Sequence, residues 1–151
     1  MVTEGLLPWY AANRRDLPWR KSREPYAVWV SEIMLQQTRV EAVIPYYRRF
    51  MQALPDVRAL ADAPEEQLLK LWEGLGYYSR VRNMQAAAGQ IVERGGFPQT
   101  AEELKKLKGF GDYTAGAVAS IAFAQRAAAV DGNVLRVWTR MERVGESIKI
   151  P

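Results

Sequence analysis

Apolar residues recur along this chain mostly at intervals of three and four, the spacing that places side chains on one face of an α-helix. No segment shows the alternation of apolar and polar residues that is typical of a β-strand. Glycine and proline interrupt the pattern at intervals that suit helices of about 8–18 residues. The pattern therefore predicts an all-α fold, with helices over residues 4–14, 26–37, 40–53, 68–75, 77–94, 102–107, 114–124 and 131–143.

Prolines and one aspartate mark where several of these helices begin. Pro55, Pro64 and Pro98 each precede a new helical segment. We expect each of them near the first helical position, where the N–H group that proline lacks is not needed. Asp131 stands before Gly-Asn-Val and is a good N-cap for the last helix.

The run LKGFGDYTAG at residues 107–116 predicts two helices joined by a tight hairpin. Gly109 and Gly111 flank an apolar residue, and glycine tolerates the positive φ that a short turn demands. Because glycine has no side chain, the backbone N–H groups here could approach an anion such as a DNA phosphate beside a helix N-terminus. The whole helix-hairpin-helix motif is expected over about residues 102–123. From the glycines alone, an ordinary helix–helix turn is the more common explanation.

Composition limits both the class of protein and the available chemistry. With 48% apolar and 11% aromatic residues, the 151-residue chain has a globular composition. Lys and Arg outnumber Asp and Glu by 21 to 17, a surplus that permits nucleic-acid binding without requiring it. The chain contains neither cysteine nor histidine, which excludes disulfides, thiol nucleophiles, the usual zinc sites and histidine acid–base chemistry. Catalysis would then depend on carboxylates, lysine, tyrosine or a bound cofactor.

Residues 13–20 are predicted to be irregular, because Pro18 disfavours helical geometry in the residue before it. They place Trp19 among several arginines. An aromatic ring beside guanidinium groups can contact nucleic acid by stacking and phosphate pairing. Equally, Trp19 can be a core residue surrounded by solvated arginines, and the residues alone leave both possibilities open.

Glu32 interrupts the apolar helix predicted over residues 26–37. Burial of a carboxylate is costly unless the group is paired, hydrogen-bonded or protonated, and it raises the pKa toward the range that suits a general acid. From the residues alone, a solvated glutamate paired with Arg39 or another cation is the more common case.

Asp131 would be held ionised by backbone N–H groups if it caps the last helix, and it could then stabilise a cation. Two carboxylates in different environments, one neutral and one ionised, suit the cleavage of a glycosidic bond. One protonates the leaving group, and the other faces an oxocarbenium-like sugar. Glu32 and Asp131 are the candidates for these two roles.

Four blocks of sequence together carry a resemblance to a known family. They are VWVSEIMLQQT (28–38), LWEGLGYYSR (71–80), the hairpin (107–116) and VDGNV (130–134). In this order the chain resembles the helix-hairpin-helix DNA glycosylases, and among them the adenine DNA glycosylases of A/G mismatches (the MutY type). The resemblance implies an all-α helix-hairpin-helix DNA glycosylase fold with a six-helix barrel core.

The resemblance also implies catalytic roles for four residues. Glu32 matches the acid that protonates the adenine leaving group and later handles the attacking water. Asp131 matches the aspartate that stabilises the cationic sugar or bonds to it transiently. Tyr113 matches a tyrosine that positions the catalytic carboxylates, and Asn133 matches a polar neighbour in the same site.

Further residues match positions that hold DNA in the family, in three groups. The wall of the pocket for the flipped adenine is matched by Leu17, Trp19 and Arg20. The residues wedged into the duplex beside 8-oxoguanine are matched by Gln37 and Tyr77, with Leu75 nearby. The phosphate cradle is matched by Gly109 and Gly111. These groups agree with the physical task, since an enzyme that removes a base from duplex DNA must flip it out, fill the gap and hold the backbone.

Position 113 separates the two nearest groups within the family. Endonuclease III-like bifunctional members carry a lysine there that forms a Schiff base with the sugar, which Tyr113 cannot do. Lys108 lies in the same hairpin but at a different position of the motif. The resemblance therefore implies a monofunctional glycosylase that hydrolyses the N-glycosidic bond of adenine mispaired with 8-oxoguanine or guanine, in base excision repair.

Two other functions stay open. Another mismatch base glycosylase, acting on thymine or uracil, could use the same scaffold, although an acid aimed at a purine ring nitrogen fits adenine better. The non-enzymatic alternative is a helix-hairpin-helix module that binds DNA without catalysis. The expected partner is double-stranded DNA, with an A:8-oxoguanine or A:G mismatch for the leading prediction.

Members of the family continue past the length of this chain, with four cysteines that ligate a 4Fe–4S cluster and a C-terminal domain that helps to recognise 8-oxoguanine. Since this chain has no cysteine, we expect no cofactor and no metal in it. We expect residues 1–151 to form a single, incomplete catalytic domain, truncated before the iron–sulfur region, with Leu6, Trp9 and Tyr10 partly exposed or engaged by a partner chain. The sequence shows no long apolar run and no signal-peptide pattern, so a cytoplasmic, nucleoid-associated protein of bacterial type is expected.

Overall fold

The computed structural model describes residues 2–145, and helices joined by turns make up this range without any strand. The helices are α1 (Val2–Asn13), α2 (Pro25–Met34), α3 (Val40–Ala53), α4 (Val57–Ala61), α5 (Glu65–Trp72), α6 (Ser79–Glu93), α7 (Ala101–Leu104), α8 (Asp112–Phe123) and α9 (Gly132–Met141), with a short 3-10 helix at Pro18–Arg20. The prediction of an all-α fold is confirmed. The end of the chain, on which the expected truncation partly rests, lies beyond residue 145 and outside the described residues.

Helix α2 lies in the middle of the fold. Eight of its ten residues are buried, which agrees with the nearly continuous apolar run in its sequence. It packs against α8 on one side and against α3 and the 3-10 helix on another. The largest fully buried side chains of the core include Trp29 on α2, Phe50 on α3 and Trp72 on α5. Glu32 therefore belongs to the helix that is most enclosed by the rest of the chain.

The predicted helix bounds differ from the observed ones by zero to three residues, and the C-terminal end of α2 is the most informative difference. The prediction of a helix through Gln37 is wrong, because α2 ends at Met34. The Leu35 amide still donates to the Ser31 carbonyl, but Gln37 has a φ of 59°, which no helix can continue. Gln37 therefore lies in a turn after the helix.

The three prolines lie one to three residues before the first helical position, near it as predicted but not at it. Pro55 and Pro98 precede the N-caps, because Asp56 and Thr100 take that place and their side chains accept hydrogen bonds from backbone amides of α4 and α7. Pro64 is itself the N-cap residue of α5. An N-cap side chain satisfies an amide that proline cannot, so in α4 and α7 a polar residue after the proline takes the cap position.

Two helices present apolar surface to solvent, in agreement with the expected exposure of Leu6, Trp9 and Tyr10 on α1. Helix α9 contains no buried residue, although it is strongly amphipathic. Its apolar side chains Val134, Val137, Trp138 and Met141 follow the spacing of one helix face and are all exposed. Among the described residues, no helix combines the length and the apolar character needed to cross a membrane.

Candidate active site and nucleic-acid interface

The packing of α2 against α8 brings Glu32 to Tyr113. The Tyr113 hydroxyl donates a hydrogen bond to Oε2 of Glu32 over 2.8 Å. Glu32 is half-buried, so the solvated ion pair that was the common alternative for this residue is not what the fold provides. Burial raises the pKa of Glu32 most strongly, the Tyr113 hydrogen bond lowers it, and the charge of Asp131 raises it again. The net effect is a raised pKa, so Glu32 keeps its proton to a higher pH than a free glutamate and suits the role of an acid.

Tyr113 is suited to donate that hydrogen bond over the whole physiological pH range. Burial and the neighbouring Glu32 carboxylate both raise the pKa of the phenol well above its ordinary value, and Asp131 adds to the effect. The phenol therefore stays protonated and acts as a fixed donor toward Glu32.

Asp131 is the N-cap of α9, as predicted. Its Oδ1 atom accepts a hydrogen bond from the Val134 amide over 2.8 Å, and its Oδ2 atom accepts one from Nδ2 of Asn133 over 3.0 Å. Arg136 in turn donates to Oδ1 of Asn133, which orients the amide. Both oxygens of Asp131 thus accept hydrogen bonds, which fix the orientation of the carboxylate.

These four predicted catalytic residues lie in one neighbourhood. Glu32 and Tyr113 are in direct contact, and the effect of Asp131 on the pKa of both places its charge within electrostatic range of them. Asn133 contacts Asp131 directly. The arrangement provides one carboxyl group that favours its proton and one carboxylate held by hydrogen-bond donors, which is the pair that glycosidic-bond cleavage requires.

The loop before Asp131 is positioned by a close contact with α8. A Cβ atom added at Gly116 would collide with the carbonyl oxygen of Ala128, so this loop packs against bare backbone. A cleft of about 440 Å³ opens beside it, with Tyr113, Gly116 and Val130 in its lining. Gly116 therefore determines how closely the segment that leads to Asp131 approaches α8.

The three residues predicted to form the base pocket do not line this cleft. Leu17 and Trp19 are 5% and 8% exposed and belong to the hydrophobic core, where the Trp19 ring meets Tyr47 edge-on at 5.4 Å. Arg20 is exposed, donates to the Arg15 carbonyl over 3.2 Å and lies over an aromatic ring of α1. The structure therefore matches the second possibility, a core Trp19 beside solvated arginines. The base-pocket role of these residues stays a prediction.

Gln37 and Tyr77, predicted to enter the duplex, share an unusual backbone conformation. Their φ angles are 59° and 48°, in the left-handed region that residues other than glycine rarely adopt. Both side chains are exposed, and Tyr77 presents 66% of its surface to solvent. The nearby Leu75 is only 7% exposed and anchors the turn that contains Tyr77 in the core. Strained residues with exposed side chains are often found at functional sites.

Arg80 was not singled out in the sequence, but it links these two turns. It is the second residue of α6. Its side chain donates four hydrogen bonds to backbone carbonyls, two in each turn. A signal was available: an arginine placed four residues after Gly76 and within an apolar helix face is unlike the solvated lysines and arginines elsewhere. The sequence could not indicate which carbonyls it contacts.

The predicted hairpin is present between α7 and α8, and its two glycines differ. Gly109 has a φ of 76°, and a Cβ atom there would lie only 2.8 Å from Cβ of Asn83, so both its conformation and its surroundings require glycine. Gly111 is the N-cap of α8 with an ordinary φ of −85°, and the expectation of a positive φ there is wrong. Between them, Phe110 stacks on Trp29 of α2 at 5.1 Å, which fixes the hairpin to the helix that carries Glu32.

The residues of this chain do not fit an iron–sulfur cluster. Such clusters are held by cysteine thiolates, and the sequence contains no cysteine. Within residues 2–145, no group of three or more His, Cys, Asp or Glu side chains is arranged to hold a metal ion.

Comparison with known proteins agrees with this geometry. Residues 30–149 match the family model of the HhH-GPD superfamily base excision DNA repair proteins. The chain is 53% identical to a rat (Rattus norvegicus) protein named adenine DNA glycosylase, over 93% of this chain and 29% of that protein. It thus spans less than a third of the length of this curated relative.

Solved structures of two related enzymes share the fold. A thermostable thymine-DNA glycosylase superimposes with a TM-score of 0.80 at 30% identity, over 87% of this chain and 62% of that one. A trapped covalent intermediate of endonuclease III with DNA superimposes with a TM-score of 0.81 at 26% identity, over 95% of this chain and 68% of that one. By its sequence match and its fold, the chain belongs to the HhH-GPD superfamily of base excision DNA repair proteins.

Proposed function

We propose that this chain is the catalytic part of an adenine DNA glycosylase, which hydrolyses the N-glycosidic bond of adenine mispaired with 8-oxoguanine or guanine and leaves the strand intact. The observation that carries the proposal is the half-buried Glu32, hydrogen-bonded to Tyr113 and within electrostatic range of Asp131, in a chain 53% identical to an adenine DNA glycosylase. The identity of the base opposite adenine is inferred only from the sequence resemblance.

The reaction divides between the two carboxyl groups. Protonated Glu32 transfers its proton to a ring nitrogen of the flipped adenine, and the bond between that base and the sugar breaks. The ionised Asp131 faces the oxocarbenium-like sugar and stabilises its positive charge. A water molecule then adds to the sugar and gives up one proton to the Glu32 carboxylate, which restores the acid. The products are free adenine and an abasic site.

Tyr113 makes the enzyme monofunctional in this proposal. Cleavage of the strand by a lyase begins with an amine that attacks the sugar, and a phenol with a raised pKa is neither an amine nor a ready nucleophile. Lys108 is exposed on the hairpin, and its backbone amide is held by Oε1 of Gln90 over 2.8 Å. The abasic site is therefore expected to persist until alkali or another enzyme breaks the strand.

Duplex DNA is the proposed partner, and two surfaces would hold it. The exposed side chains of Gln37 and Tyr77 would enter the gap left by the flipped base. The amides at the start of α8, beyond Gly109 and Gly111, would bind a phosphate. The net charge of +4 favours association with the polyanion.

The test is single-turnover base release from a duplex with adenine opposite 8-oxoguanine, followed as strand breakage with and without alkali. We expect breakage only after alkali. Asp131→Asn is the sharpest variant, because asparagine is as good an N-cap as aspartate and leaves α9 intact. Each of the single variants Asp131→Asn and Glu32→Gln should lower the rate of base release by about 10²–10⁴-fold and keep the affinity for DNA.

Three outcomes would contradict the proposal. Breakage without alkali would mean that an amine of the chain acts as a lyase. Faster release of thymine from a T:G mismatch would favour the related mismatch glycosylase. Tight binding with no release of any base would indicate a DNA-binding module without catalysis.

A further inference from the structure

Arg80 joins two turns that are far apart in the sequence. Its Nη1 atom donates to the carbonyl oxygens of Ile33 and Gln36 over 3.0 and 2.7 Å, in the turn that ends α2. Its Nη2 atom donates to the carbonyl oxygens of Leu75 and Gly76 over 3.0 and 3.3 Å, in the turn before α6. One planar guanidinium group thus forms a bridge between the two turns, with one nitrogen assigned to each.

Each turn leads directly into a residue with left-handed backbone. Gln37 follows the Gln36 carbonyl, and Tyr77 follows the Gly76 carbonyl. The carbonyls at a helix end have no partner within the helix, so an external donor decides how the chain leaves it. Arg80 therefore acts on the peptide unit that directly precedes each strained residue.

The surroundings of Arg80 show that the side chain is held rather than free. Its guanidinium lies 5.5 Å from the ring centroid of Trp72 and 5.6 Å from that of Tyr77. Its Nε atom is buried and makes no hydrogen bond to the described residues, which is a cost that a solvated arginine avoids. The indole of Trp72 adds a second hold on the same turn, since it donates to the Gly76 carbonyl over 3.1 Å.

We propose that Arg80 is a positioning residue that fixes Gln37 and Tyr77 relative to each other, so that both side chains enter the DNA duplex as one rigid pair. The entry of these side chains into a duplex rests on the proposed function, whereas the coupling of the two turns by Arg80 does not. The two side chains come from turns that are separated by some forty residues of chain, and the guanidinium group connects these turns directly through four hydrogen bonds. The planar fork is essential, because a lysine ammonium group cannot present two parallel pairs of donors.

The first arm of the test measures the coupling without any activity. Amide hydrogen exchange in the 151-residue chain would be compared with that of Arg80→Lys, with attention to the amides of Thr38 and Leu75. These amides donate to the Leu35 and Trp72 carbonyls over 3.4 and 3.1 Å and so report on the two turns. We expect both amides to exchange about tenfold faster in the variant, while the amide of Val134 at the start of α9 is unchanged.

The second arm measures whether the pair acts on paired DNA. Single-turnover release of adenine would be followed from two duplexes, one with adenine opposite 8-oxoguanine and one with adenine opposite an abasic site. We expect Arg80→Lys to slow the first reaction by about 10–100-fold and the second by less than about threefold, because only the paired adenine needs the wedge. Arg82→Lys is the matched control, since Arg82 lies on the same helix and pairs on the surface with Glu65 over 3.0 Å.

The outcomes separate the two proposals. Exchange that accelerates in only one turn, or in neither, would overturn the bridging role of Arg80. An equal loss on both duplexes would show a general structural role and would overturn the positioning role. If the unmodified chain releases no adenine from either duplex, the proposed function fails, whereas the exchange arm still decides whether Arg80 couples the turns.

Discussion

Glu32 is held in an environment that favours its protonated form, which has a consequence for stability as well as for catalysis. Since its pKa is raised in the folded chain, its contribution to stability is full below the ordinary pKa of glutamate and is lost as the pH rises through the raised value. Above the raised value the folded chain therefore bears the cost of a half-buried negative charge.

The variant Glu32→Gln should remove that cost while it abolishes the acid. The amide oxygen can still accept the hydrogen bond from Tyr113, so we expect a gain of about 1 kcal/mol in the free energy of unfolding at pH 7. The gain should disappear below the ordinary pKa of glutamate, where the wild-type residue is neutral too. Chemical unfolding at several pH values measures it, with Glu41→Gln, at an exposed position, as the control. A loss of stability at pH 7 would contradict the prediction.

Tyr113 sets how far the pKa of Glu32 is raised. Its hydrogen bond is the only one of the three named influences on Glu32 that lowers the pKa, so Tyr113→Phe should raise the pKa further. The alkaline limb of the pH–rate profile, where Glu32 loses its proton, should then move to higher pH, although the rate itself falls through poorer orientation. Tyr10→Phe, at an exposed tyrosine of α1, is the control. An alkaline limb that stays in place or moves to lower pH would show that Tyr113 does not tune Glu32.

The positions of the two candidate carboxyl groups could be picked out from the sequence because each has a local signature, and their catalytic roles stay a prediction. Glu32 is a charge in an apolar run, and Asp131 has the context of an N-cap that the structure confirms. The role of Arg80 could not be predicted, since its four acceptors are backbone carbonyls, which every residue carries. The conformations of Gln37 and Tyr77 were hidden for the same reason, because they depend on contacts made across the fold.

At the scale of the elements, the two glycines of the hairpin between α7 and α8 meet different requirements, which the sequence alone does not distinguish. The paired glycines suggested one shared reason, positive φ, but only Gly109 has it. Gly111 has an ordinary backbone, and a Cβ atom there would meet nothing within 4 Å. The fold therefore requires the first glycine, and only a ligand close to the backbone could require the second.

Alanine substitutions at the two positions should separate these requirements. Gly109→Ala should lower the free energy of unfolding by about 2 kcal/mol, since alanine resists this φ and its Cβ atom would press against Asn83. Gly111→Ala should cost only about 0.5 kcal/mol. If the hairpin binds a phosphate at close range, Gly111→Ala should still weaken DNA binding in a titration at fixed salt. Equal loss of stability in both variants, or unchanged DNA affinity in Gly111→Ala, would contradict this division.

The helices themselves were predictable, whereas their ends were not. The apolar spacing of α3 gave Val40–Ala53 without error, because periodicity within a helix is a local property. The end of α2 was placed three residues too late, since the Gln36 carbonyl is held by Arg80 of another helix. Helix ends depend on whichever group satisfies the last carbonyls and first amides, and that group can come from anywhere in the fold.

At the scale of the whole molecule, α1 and α9 stand out because they expose several large apolar side chains. Leu7, Trp9 and Trp138 expose 70%, 60% and 58% of their surface, respectively, and α9 carries its exposed apolar residues on a single face. Scattered apolar residues are normal on a surface, but contiguous ones favour association. The rat relative is more than three times as long as the aligned part of this chain, so a longer protein has additional chain that could cover such faces.

We therefore predict that the 151-residue chain self-associates as its concentration is raised, and that α9 contributes to the contact. Trp138→Glu should weaken the association, because a carboxylate in the middle of the apolar face would have to be desolvated. Arg140→Lys, which keeps the charge at an exposed position of the same helix, should leave it unchanged. Added salt should strengthen the association of the wild-type chain, since the net charge of +4 on each copy opposes it and salt screens that repulsion. Sedimentation velocity over a concentration series measures all three effects. A wild-type chain that stays monomeric throughout, or a Trp138→Glu variant that associates equally well, would show that the exposed face of α9 does not drive contact between copies.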